Sequence, residues 1–146
     1  MANATTQKFE EMILETSEDG TTWTRLCGLI DVTVSRSANM DTAEVPDCDD
    51  ESLPLSLEKQ VRSIEVSVSA TGVWAQESQG TLKDWFYSSA SKRVRISDTG
   101  AASGETEIES GFAYLTSLET GRTKGQKVSA SIEIMFDGTP SRTAAA

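Results

Sequence analysis

The stretch Val45-Pro-Asp-Cys-Asp-Asp-Glu-Ser-Leu-Pro54 places Asp47, Asp49, Asp50 and Glu51 within five positions, between two of the chain's three prolines. Prolines at both ends argue against helix and strand alike, so the segment reads as a loop. Three uses fit such a cluster. A calcium loop would need a spaced ladder of the form D-x-D-x-D-G closing on a glutamate, and here the acids are present without the glycine that makes the sharp turn. A plain solvated loop needs nothing more. A docking loop needs Lys and Arg on another surface, and Arg93, Arg95, Arg122, Lys124 and Lys127 are candidate partners. Asp41 and Glu44 lie upstream of it.

Other chemistry is sparse. Histidine is absent, which removes the imidazole base of Ser-His-Asp and Cys-His hydrolysis and leaves only two cysteines and carboxylates for a zinc site. Ser89-Ala-Ser-Lys92 matches the S-x-x-K of serine acylases but has neither companion element, and it reads as the tail of a serine-rich helix. Gly121-Arg-Thr-Lys-Gly125 reads as a turn between strands, not a phosphate cradle. Asn3-Ala-Thr5 is a glycosylation sequon only in form. Cys27 and Cys48 read as a small core residue and a loop thiol. No catalytic residues, cofactor or metal are therefore expected.

A chain of 146 residues has the length of one domain, here taken as residues 1–146. Its formal charge of -10 and pI of about 4.4 repel nucleic acid phosphates and anionic lipid, which excludes tight binding to either as its main business. No apolar run approaches the roughly 20 residues that cross a bilayer, and the first residues lack the pattern of a signal peptide. Synthesis in a cytoplasm is the expectation.

The elements that must position any site are mostly strands. Lys8 to Leu14 and Thr21 to Leu26 flank Glu18-Asp-Gly20, a hairpin signal. Ile30, Val32 and Val34 alternate with Asp31, Thr33 and Ser35. The same rhythm returns where Ile64, Val66, Val68 and Ala70 oppose Glu65, Ser67 and Ser69, and again where Val128, Ala130, Ile132, Ile134 and Phe136 oppose Ser129, Ser131 and Glu133. Arg93 to Ser97 and Glu105 to Leu118 supply two more strands, the latter opening on alternating Glu105, Glu107 and Glu109. One helix, expected over residues 78–90, starts from the capping pair Thr81 and Asp84 and carries Leu82, Trp85 and Phe86 at helical spacing, with Trp85 read as core. Residues 138–146 read as a flexible tail. The expected fold is mainly β: a β-sandwich or open barrel of about seven strands with one packed helix. Its polar faces are unusual, because a solvated sheet face normally carries long charged side chains and these carry Ser and Thr. Short hydroxyls with scattered carboxylates make a smooth, hydrated, weakly negative wall, although such residues are common on β surfaces in general.

The ordered set Asp31-Val-Thr-Val-Ser-Arg-Ser37, Val45 to Pro54, Gly72-Val-Trp-Ala75, Thr81-Leu-Lys-Asp-Trp-Phe86, Lys92-Arg-Val-Arg-Ile96 and Thr123-Lys-Gly-Gln-Lys-Val128 through Phe136-Asp-Gly138 resembles the major tail tube proteins of long-tailed, siphovirus-type bacteriophages and related phage-like particles. The resemblance runs from about Glu10 to Asp137, and its specificity lies in the order and spacing of strands, turns and loops. It implies a structural virion subunit without catalysis: six copies close into a ring around a continuous inner β-barrel, and stacked rings conduct the genome at ejection. It implies partners of the same kind, a second copy laterally and axially, with tape measure, tail terminator and distal tail proteins at the bore and ends, and DNA passing without specific binding. No membrane partner is implied. On this reading Asp31, Thr33, Ser35, Glu65, Ser67, Ser69, Ser129, Ser131 and Glu133 line the lumen. Residues 36–55, with Arg36, Asp41, Glu44, Asp47, Asp49, Asp50 and Glu51, are then the long loop that reaches the neighbouring ring. The residues alone leave open a second class, a stand-alone β-sandwich module binding carbohydrate or an adhesion partner through calcium, using the acidic loop and Trp74.

Overall fold

The computed structural model describes residues 3–4 and 6–144, with side chains described except at 77, 78, 106 and 107. Thr5 of the sequon and the side chain of Glu107 therefore lie outside the described residues. After a 3-10 turn at Phe9–Glu11 come β1 (Met12–Ser17), β2 (Thr24–Arg25), β3 (Leu29–Val45), β4 (Ser56–Val73), α1 (Gln76–Ser88), β5 (Lys92–Asp98), β6 (Thr106–Gly121), β7 (Ser129–Phe136) and β8 (Ser141–Ala144). Among the described residues eight strands form one antiparallel sheet in the order β2-β1-β5-β6-β7-β4-β3, with β8 added to β6, and the sheet is not closed. The mainly β architecture with a single packed helix is the one its alternating sequence calls for. Several boundaries differ.

The sheet is held on one face by Leu14, Val68, Ala70, Val94, Ile96, Ala113, Leu115, Ile132 and Ile134, contributed by five strands at period two. Burying an aliphatic side chain of this size is worth about 1.5–3 kcal/mol each, so this layer is what specifies strand parity. The helix lays Leu82 and Trp85 onto it, and Trp85 is 4% exposed. Its indole donates to the Ala90 carbonyl at 3.1 Å, so the polar edge of a buried ring is satisfied.

The helix begins at Gln76, one and a half turns before the expected cap, with Ala75 at the N-cap and no side-chain capping bond. Thr81 and Asp84 sit inside it, so they are not the cap. At the other end Ser89 adopts a left-handed conformation, φ 56°, as the C-cap, while Lys92 ion-pairs with Glu18 at 3.6 Å. Ser89 and Lys92 thus serve as a helix stop and an ion pair. The segment expected as a tail forms β8, whose Ser141 hydroxyl donates to the Ser110 carbonyl at 3.2 Å. Cys27 is exposed and directs its thiol to the Arg25 carbonyl at 3.8 Å, which corrects its reading as a core residue, while Cys48 lies exposed on a loop.

Candidate functional site: a polar face, two open edges and an arm

The four strands β6, β7, β4 and β3 carry Ser, Thr and acids on the face opposite the core. Pairing brings them into rows: Thr33 faces Ser69, Ser69 faces Glu133, and Glu133 faces Ser117. The next row joins Asp31, Thr71, Ser131 and Glu119, and the one on the other side joins Ser35, Ser67, Met135 and Tyr114. Glu65 faces Ser37 and Ser129 faces Val73. All nine residues expected to share a face therefore do so; Ser67 and Ser131 are half-buried and the other seven exposed. Thr71, Ser117 and Glu119 complete the surface and escaped the sequence reading. A register shift between Leu115 and Ser117, where the Thr116 hydroxyl turns back to the Glu133 carbonyl at 3.2 Å, breaks the alternation that would have marked the last two.

This polar surface is bounded by two unpaired strand edges. Among the described residues β3 pairs only with β4, along its whole length, and β6 from Tyr114 to Gly121 pairs only with β7 because β5 ends opposite Ala113. Such edges are rows of free backbone donors and acceptors that natural sheets normally protect. Counting along the sheet, β6 and β3 run in opposite directions.

Residues 36–55 are not a loop throughout. Arg36 to Val45 continues β3 and pairs with Ser56 to Val66 of β4, so an arm of two strands projects beyond the core, and only residues 46–55 form a loop. At its root the Arg36 guanidinium grips Glu109 on β6 through both nitrogens, the Nε contact at 3.2 Å. Arg36 is thus engaged within its own subunit. Asp41 lies 3.9 Å from Arg62 with both side chains solvated, a pair worth little. Glu44 is exposed opposite Leu57.

At the tip the carboxylates organise the backbone. One oxygen of Asp47 accepts from the amides of Asp49 and Asp50, at 2.8 and 3.0 Å, and Asp50 in turn accepts from the Ser52 amide at 3.0 Å. These amides hold Asp47 below the ordinary carboxylate range, the Asp49 amide foremost; the Ser52 hydroxyl and then its amide do the same for Asp50. Asp49 and Glu51 are exposed. Among the described residues no three acidic, Cys or His side chains converge as metal ligands. The tip is thus a pair of consecutive Asx turns.

The candidate cations fall into two groups. Arg95 bonds Glu15 at 3.1 Å and covers the Trp23 ring at 4.4 Å, while Arg93 covers Phe112 at 5.0 Å. Arg122, Lys124 and Lys127 sit exposed in the turn between β6 and β7, at the end of the sheet away from the arm.

A long antiparallel sheet with one polar face, one helix behind it and two open edges describes an assembling structural subunit. A sequence profile of the phage tail tube protein family matches residues 6–142, and the chain belongs to that family, as a structural component of a phage tail. Comparison with curated protein sequences gives no match. Among solved structures the fold is similar to a subunit from the tail of an empty gene transfer agent particle refined with C6 symmetry (TM-score 0.75, 16% identity, 95% of this chain and 100% of that one). It is also similar to the SPP1 tail tube (TM-score 0.67, 14% identity, 96% and 80%). A third similarity is to the cap terminating the anti-feeding prophage tube (TM-score 0.65, 17% identity, 99% and 95%).

Proposed function

We propose that six copies of this chain close into a ring by antiparallel pairing of β3 in one copy with Tyr114 to Gly121 of β6 in the next, and that stacked rings form a hollow tube. The observation that carries this reading is the flanking of one continuous polar face by two open edges of opposite direction. Joining them extends the sheet without interruption and satisfies both rows of backbone groups. The C6 symmetry of a similar tail supports the ring size. In the ring the rows around Ser69 and Ser131 become the lumen, lined by Asp31, Thr33, Ser35, Glu65, Ser67, Ser69, Ser129, Ser131 and Glu133.

Six copies of a chain of formal charge -10 carry -60. With a screening length of about 8 Å at physiological salt, a phosphate near this wall still feels repulsion, and hydroxyls offer nothing that must be broken at each step. DNA therefore slides during ejection. During assembly the same bore holds a tape measure protein, and terminator and distal tail proteins close the two ends; the subunit is made in the host cytoplasm and functions in the virion. The tip, with Asp47, Asp49, Asp50 and Glu51, reaches the adjacent ring, where the Arg122, Lys124 and Lys127 turn presents the opposite charge. Electron microscopy of the purified chain at high concentration, with and without a salting-out agent, tests the proposal. Hollow tubes with six-fold end views are expected; a protein that stays monomeric throughout would overturn it.

A further inference from the structure

We infer that the arm has a lateral seat: its apolar underside packs on the Arg93, Phe112 and Tyr114 surface of the adjoining copy in the same ring. The inference rests on the ring reading above and adds to it a specific interface. The alternation of β3 and β4 does not stop where the core stops. Past Val66, the face that continues the core carries Ile64, Val61 and Leu57 from β4 and Met40 from β3, each between 48% and 60% exposed. Glu44 and Lys59 lie on that face nearer the tip. The first half of this 18-residue strand thus carries an apolar face with no core of its own chain beneath it, the mark of a surface that something else covers.

The occupant follows from the strand order. When β3 of one copy pairs with Tyr114 to Gly121 of the next, the pairing must end near Ala113, because from there β6 already holds β5 on the same edge. The arm therefore leaves the plane of the receiving sheet and passes across one face of its β5–β6 pair. The core-side face is filled by Val94, Ile96 and the helix. The other face is partly covered by the turn after β1, where Gly20 lies against Arg93 and Trp23 under Arg95, but next to it stand Phe112 and Tyr114 with Met135 of the adjoining β7, 42% to 47% exposed, and the Arg93 guanidinium lies on the Phe112 ring. The arm crosses that face with its core-side surface inward, so apolar meets apolar, Glu44 approaches Arg93, and the polar Asn39 and Asp41 remain on the bore. Aromatic, Met and Arg side chains are the usual make-up of an interface centre.

Cross-linking reads this contact. In a background with Cys27→Ser and Cys48→Ser, Met40→Cys and Phe112→Cys together are expected to give a ladder of linked subunits with a short bismaleimide in tubes, and none in dilute monomer. Asn39→Cys in place of Met40→Cys points to the opposite face and is expected to link several-fold less. Tubes that form with no ladder, or with equal linking from positions 39 and 40, would overturn the seat while leaving the ring reading intact. Failure of the parent protein to form tubes would remove both. A second variant guards against a cysteine effect: Val61→Asp is exposed in the monomer and should leave its circular dichroism unchanged, yet raise the concentration needed for assembly by about tenfold or more. An unchanged threshold counts against the seat.

Discussion

Gly72 is where β4 has β3 on one side and β7 on the other, opposite Leu29 and Ala130. A Cβ placed there would stand 2.1 Å from the Gly28 carbonyl oxygen and 2.8 Å from both the Ile30 nitrogen and the Leu29 Cα. All three are backbone atoms and cannot swing aside, so Gly72→Ala must push the start of β3 off β4. The same carbonyl accepts the Val73 amide at 2.9 Å, and that bond goes with it. Overpacking costs about 1–3 kcal/mol and a lost backbone hydrogen bond about 1 kcal/mol, giving about 2–4 kcal/mol in all. At about 2–4 °C per kcal/mol for a chain of this size, the midpoint of thermal unfolding falls by about 5–15 °C. Gly80 provides the control, since a Cβ there meets nothing within 4 Å inside α1. Gly80→Ala should raise the midpoint by a few degrees, as replacing an interior helical glycine is worth about 0.5–1 kcal/mol. Both are measured by circular dichroism at concentrations too low for ring formation. A Gly72→Ala midpoint within about 2 °C of the parent would show that the β3–β4 approach is not as tight as the geometry states.

Replacing Glu65 and Glu133 by Lys should spare assembly, since both side chains are exposed, while particles carrying the double variant eject DNA more slowly in a dye-release assay; normal ejection would count against the lumen assignment. Arg36→Ala should cost about 0.5–1 kcal/mol of unfolding free energy in urea, a figure already discounted for the half-exposed guanidinium. The carboxyls of Asp47 and Asp50 have lowered values in the folded tip, so the turn they organise is complete above the ordinary value of 3.8 and is lost as pH falls through the lowered ones. Amide chemical shifts of Asp49, Asp50 and Ser52 should therefore be constant from neutral pH to about 5 and move only in more acid solution.

The parity of β3, β4 and β7 was legible because Val68, Ala70, Ile132 and Ile134 recur at every second position and the hydroxyls fill the gaps. The arm was hidden by two things. Its apolar residues are interrupted by Arg62, the extra residue of a bulge opposite the Asn39–Met40 step, so Val61 and Ile64 are three apart and the period of two is lost. Upstream, Thr42, Ala43 and Glu44 carry no apolar rhythm at all, and their strand exists only because β4 returns beside them. Long-range pairing likewise made β8 invisible: Ser141, Arg142 and Thr143 have no strand signature, and what orders them is the edge of β6 more than 30 residues earlier. The helix start failed for the opposite reason, since Thr81 and Asp84 form a good local capping pattern while the helix continues upstream of them to Gln76, with Ala75 as its N-cap. The open edges could not be seen in one dimension, because they depend on where β5 stops.

The two open edges also shape the timing of polymer growth. In the ring proposed above, a lone pair of subunits gains one edge junction but brings two chains of charge -10 together, whereas the last subunit to enter makes two junctions at once. Early encounters are therefore penalised and closure rewarded, which is the kinetic signature of nucleated polymerisation: a long lag, then rapid elongation. Subunits with this arrangement can accumulate in a supersaturated pool and remain dissolved until a preformed ring offers them a template. On that proposal the number of tubes is set by the supply of initiators.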